Sequence, residues 1–170
     1  MKGLLAILIT ALIMTGCEKK NDAAKSCNID VAYSDNQQKV TITSGVWGTI
    51  SSIEGNCMPP VSPGEGSCTQ CPVQRTIRIY EYTLRSEAVP ASNPPGVFYN
   101  SFNTTLIKEV ATDENGFYQT TLPPGQYTFV IMENGKIYAN SSDGAGGLNP
   151  HNINEGLNRV DISMTYKASF

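Results

Sequence analysis

The sequence predicts an all-β fold, a single antiparallel β-sandwich of about seven strands. Fifteen glycines and ten prolines are spread over 170 residues, and almost no stretch keeps a helical period of apolar side chains. Short segments instead alternate apolar and polar residues between turn residues, the pattern of half-buried strands. The clearest is RVDISMTYK, residues 159–167. It sets Val160, Ile162, Met164 and Tyr166 on one side and Arg159, Asp161, Ser163, Thr165 and Lys167 on the other.

The N-terminus stands apart from that fold. One lysine precedes an apolar run from Leu4 to Met14, too short for a permanent bilayer-spanning helix, so residues 1–16 are expected to be a signal peptide. Thr15 and Gly16 lead into Cys17, and this junction resembles the lipobox of bacterial lipoproteins, with Met14 where leucine is usual. The resemblance implies lipidation of Cys17 by diacylglycerol and an amide-linked acyl chain such as palmitate. Each buried methylene contributes about 0.8 kcal/mol, and more than one chain anchors a protein stably. Residues 17–38 then read as the lipidated N-terminus and a flexible tether, beginning with the polar run EKKNDAAKS. Residues 39–170 are left as one folded domain, enough chain for one core.

The remaining elements follow in order. Residues 39–53, KVTITSGVWGTISSI, read as a β segment interrupted at Gly45 and Gly48. A cysteine-containing loop, 54–73, separates it from RTIRIYEYTL, residues 75–84, with Ile77 and Ile79 as an inward pair. The segment 85–103 carries prolines that argue against a central strand, and its Phe98, Tyr99 and Phe102 are expected to pack over an open end or edge of the sandwich. TLIKEVAT and GFYQTTL read as a hairpin turned by Asn115-Gly116. GQYTFVIME places Tyr127, Phe129 and Ile131 on the core face, and KIYANS follows as a short strand after Asn134-Gly135.

Four cysteines besides Cys17 suit an exported chain, for which disulfides are the default and three pairings exist. Cys57 with Cys68 is favoured because the two flank MPPVSPGEGS, a loop able to fold back on itself; Cys27 with Cys71 follows by subtraction. CTQC has redox or zinc spacing, but no helix stands beside it to activate a thiol.

Composition and motifs argue against an enzyme. His151 is the only histidine, which leaves no second imidazole for a metal cluster, and a lone loop histidine is expected to face solvent. The chain contains neither a nucleophile elbow nor a glycine-rich phosphate loop. A net charge of -3 without a basic block gives no footprint for nucleic acid. Asp113, Glu114 and Asn115, and likewise Ser142, Asp143 and Asn149, offer hard oxygen ligands for calcium. Turn chemistry, in which Asp and Asn bond their own backbone, explains both stretches with fewer requirements. Trp47, Tyr99 and Tyr138 are candidate ligand-binding aromatics, suited to a sugar face if they point outward.

TDENGFYQTTLPPGQYTFVI, with GTIS, PVQRTIRIYE and NRVDISM in the same order, is similar to the carboxypeptidase regulatory-like group of transthyretin-like and Cna B-type sandwiches. Thr112, Asp113, Gly116, Phe117, Leu122, Pro123, Gly125, Tyr127 and Thr128 match its central pattern. The C-terminal segment also resembles small lipoproteins of Bacteroidetes. The likeness implies a prealbumin-type sandwich and a noncatalytic accessory module without cofactor. Some Cna B-type members carry a lysine–asparagine isopeptide bond promoted by a buried acid; Lys39 and Asn158 are the positions to compare, and no acid completes them. The expectation is a lipoprotein held on the outer membrane, facing the periplasm or the cell surface. It would serve as a structural or protein-binding module, with an envelope protein or a glycan as candidate partner.

Overall fold

The computed structural model describes residues 27–59 and 67–170; Cys17 and the expected signal peptide lie outside them. The described chain begins with a helix, α1 (Ile29–Gln38), and continues through twelve strands: β1 (Gly45–Asn56), β2 (Thr69–Pro72), β3 (Thr76–Glu81), β4 (Ala88–Pro90), β5 (Phe98–Phe102), β6 (Leu106–Ala111), β7 (Phe117–Thr120), β8 (Gly125–Glu133), β9 (Lys136–Tyr138), β10 (Pro150–Ile153), β11 (Leu157–Arg159) and β12 (Ile162–Ser169). They form two sheets packed as a sandwich, one of five strands and one of seven. The larger sheet runs β4-β5-β9-β8-β3-β6, with β10 also on β8. In the smaller sheet β1 is the hub. It pairs antiparallel with β7 and β2 and, against the purely antiparallel expectation, parallel with β11 and β12.

The core lies between the sheets. Val46 and Ile50 of β1 and Ile162 and Met164 beside them meet Ile77, Ile79, Phe129, Ile131 and Tyr138 of the larger sheet. Each such side chain contributes about 1.5–3 kcal/mol by leaving water. A second apolar layer covers the other face of the larger sheet, where Tyr80, Tyr99, Val130, Ile137 and Leu148 pack together. Both faces of β8 are therefore covered, which is why Thr128 and Val130 are as buried as Phe129.

Several sequence expectations are corrected. Residues 27–38, assigned to the tether, include an ordered helix: Asn28 caps it by accepting from the Asp30 and Val31 amides at 3.1 and 3.2 Å. Residues 39–44 are not strand, and β1 passes through Gly48 without a break. A Cβ at Gly48 would sit 1.9 Å from the Val160 carbonyl oxygen, so the glycine permits a close approach of backbones. β6 and β7 are not a hairpin. β6 pairs with β3 and β7 with β1, so the Asp113–Gly116 turn carries the chain from one sheet to the other. The 85–103 segment adds β4 and β5 to the larger sheet, and Phe98 enters the core. Its prolines stand at the end of edge strand β4 and in the following turn, where a missing amide costs nothing.

Candidate functional site

The outer face of the smaller sheet brings together aromatic, cationic and hydroxyl side chains. Strand alternation turns Trp47, Thr49 and Ser51 of β1 away from the core, and Ser163 of β12 joins them. α1 lies over this face. The Arg159 guanidinium sits between two rings, 5.0 Å from the Tyr33 centroid and 5.1 Å from that of Trp47, while its Nε donates to Asp161 at 2.7 Å. Cation–π contacts of this kind contribute about 0.5–2 kcal/mol, depending on desolvation. Alongside, the Gln70 amide donates to the Ser51 and Ser163 hydroxyls at 3.0 and 3.2 Å, and those hydroxyls are 2.8 Å apart.

The cover is held by polar contacts. Asn36, fully buried, donates from Nδ2 to the Thr49 hydroxyl and to the Asn115 carbonyl, both at 2.9 Å. Its Oδ1 is buried without a partner among the described residues. Lys39 at the end of the helix pairs with Asp113 at 2.7 Å. Cys27, just before the helix, is bridged to Cys71 of β2. Burial and the Asp161 charge both raise the Tyr33 pKa, so its phenol stays neutral beside the arginine.

The carboxylates proposed for calcium are occupied by the protein itself. Burial pushes the Asp113 carboxyl up, but the Lys39 ammonium and the Phe117 and Asn115 amides outweigh it, and the net pKa is lowered. Asp143 is held down first by the Gly147 amide and then by the Tyr82 hydroxyl, at 2.7 and 2.8 Å. Both are turn residues. His151 does not face solvent as expected. It is half-buried in β10 with its ring 5.2 Å from Phe129, and burial lowers its pKa.

The three candidate aromatics are also corrected. Trp47 is 6% exposed, Tyr99 2% and Tyr138 0%, so none is displayed as an open platform. Trp47 does point outward, away from the core clusters, but it is buried there with the Arg159 guanidinium against its ring. Tyr99 packs in the second apolar layer. Tyr138 is a core residue whose hydroxyl accepts from the Thr165 amide at 2.8 Å. The candidate disulfide residues pair as favoured, Cys57 with Cys68 and Cys27 with Cys71. Lys39 and Asn158 serve different contacts, Asn158 donating to the Gly45, Asn154 and Gly156 carbonyls.

Sequence reasoning missed Tyr33, Asn36, Gln70 and Arg159. A signal for the first two exists: Asn28 is a good N-cap, and Ile29, Ala32, Tyr33 and Asn36 repeat with the spacing of one helix face. Elsewhere an open groove of about 510 Å³ lies between the Thr121–Pro124 and Asn154–Gly156 loops, with Lys108 and Glu155 in its lining. Comparison with protein-family models, with curated proteins and with solved structures finds no match to this chain.

Proposed function

We propose that the protein is a noncatalytic lipoprotein of the cell envelope, anchored to the outer membrane by acyl chains on Cys17, whose sandwich acts as a structural or protein-binding module. The observation that carries this reading is the pair of disulfides within one small domain. Such bridges persist in oxidising compartments, and they agree with an apolar leader ending at Thr15-Gly16-Cys17. The order of motifs from GTIS to NRVDISM and the two-sheet architecture support kinship with the carboxypeptidase regulatory-like group. The engagement of Asp113, Asp143 and Glu133 in structural hydrogen bonds supports the noncatalytic part of the reading.

Metabolic labelling with an alkyne fatty acid tests the anchor. Wild type should take up label and sediment with outer membranes, whereas Cys17→Ser should lose the label and leave the membrane fraction. An unlabelled wild type, or a Cys17→Ser protein that still sediments with label, would overturn the anchor. Crosslinking of the lipidated protein in its native envelope then identifies the partner.

A further inference from the structure

We infer that α1 is a latched cover: the Cys27–Cys71 bridge holds it over the Thr49 and Arg159 side of the smaller sheet, and breaking that bridge opens the helix while the sandwich stays folded. The inference concerns the domain itself and does not depend on the lipid anchor.

The helix has little to hold it by burial. Of its ten residues only Ala32 and Asn36 are buried, and Val31 is 53% exposed. A ten-residue helix is marginal by itself, and its inner face meets mainly polar groups, the Thr49 hydroxyl, the Gln70 amide and the Arg159 guanidinium. Its grip consists of Asn36 and the Lys39–Asp113 pair at the C-terminal end, the Tyr33 ring on Arg159 in the middle, and the covalent bridge before the N-terminal end. Asn36 Oδ1 is buried without a partner among the described residues, and opening would expose it to water.

The geometry sets what moves. Thr41 and Ile42 are fastened to β7 through their amides, which donate to Gln119 Oε1 at 3.0 and 3.4 Å. The pivot therefore falls at residues 39–40, and β1 is left in place. Withdrawal of α1 takes Tyr33 off Arg159 and Asn36 off Thr49, and it frees the outer side of the guanidinium that lies against the Trp47 ring. The sandwich core contains no α1 residue, so its packing survives. Cys27 is exposed and Cys71 half-buried, within reach of a dithiol. One thiolate of the dithiol attacks a bridge sulfur and forms a mixed disulfide as the Cys27–Cys71 bond breaks. The second thiolate then resolves it. The two cysteines gain two electrons and two protons, and the reductant leaves as a disulfide.

Trp47 is the sole tryptophan and reports through Arg159, which lies between its ring and that of Tyr33. In full-length Cys57→Ser/Cys68→Ser protein, which keeps only the latch, a dithiol such as dithiothreitol should raise acrylamide quenching of Trp47 several-fold and red-shift its emission. A cooperative thermal transition should remain. Cys27→Ser/Cys71→Ser protein should show the open spectrum already and not respond. Unchanged quenching after thiol titration proves the bond broken would overturn the proposal, as would loss of the thermal transition in the same step. Should either variant not fold, hydrogen exchange of reduced wild type gives the same comparison. Protection should vanish across Ile29–Gln38 and persist in β8; equal loss in both, or persistence in both, would refute the latch.

Discussion

Asp113 shows how a single side chain reads differently in sequence and structure. Its oxygens satisfy the Asn115 and Phe117 amides at 2.8 and 2.9 Å and the Lys39 ammonium, so it fixes both the sheet-crossing turn and the end of α1. Asp113→Ala should cost about 1–2 kcal/mol in urea denaturation, whereas Asp113→Asn keeps an acceptor and should lose less. Added calcium should leave the melting temperature of wild type unchanged, because the carboxylate is already engaged. His151 gives the pH dependence. Burial against Phe129 holds its folded pKa below 6.5, so the unfolded chain binds the proton first. Stability is full above about pH 6.5 and declines as pH falls toward the lowered folded value. Thermal melts should show that decline, and His151→Gln should flatten it. The Glu133 loss comes lower still. Its carboxyl, raised by burial but lowered more by Arg75 and the Tyr166 hydroxyl, ends below the usual value of 4.5. Its contribution is present above that value and fades as acid protonates it.

At the scale of elements, strands were legible where periodicity and core position coincide. Ile77 and Ile79, Phe129 and Ile131, and Val160 to Met164 all enter the core as their alternation implies. What the sequence did not disclose was pairing. Asn115-Gly116 looks like a hairpin turn, yet φ +70° at Gly116 serves a crossing between sheets, because β7 finds its partner in β1 rather than in the adjacent β6. Local signals specify that the chain turns; long-range burial decides what it meets afterwards. The candidate site failed for a related reason. The sequence left open whether Trp47 points outward; it does, but its exposure depends on what packs against that face, above all Arg159 of β11, which no local pattern brings to it. Edge protection is likewise a tertiary matter: Asn140 donates to the Ser163 carbonyl at 3.1 Å and Tyr138 receives the Thr165 amide, blunting the outer side of β12. Gly48→Ala should test the tight contact between β1 and the chain at Val160. With 1.9 Å to the carbonyl oxygen, the strands must separate, and a loss of about 2–3 kcal/mol is expected from overpacking.

For the molecule as a whole, β1 joins the beginning of the domain to its end, Ser51 lying opposite Ser163 across 112 residues. Contacts this distant in sequence must be closed before they are rewarded, so the fold depends on constraints that reduce the freedom of the unfolded chain. The Cys57–Cys68 bridge is one such constraint. It ties residues 11 apart beside the end of β1 and the start of β2, and its effect should fall mainly on the denatured state. Loop-closure entropy gives about 3 kcal/mol for a ring of this size. Cys57→Ser/Cys68→Ser should therefore lower the denaturation free energy by about that amount. The native spectrum and Trp47 emission should stay as in wild type, because no side chain of either core cluster is removed. If the same double substitution altered Trp47 emission, the bridge would be shaping the folded face under α1, and the entropic account of this loop would fail.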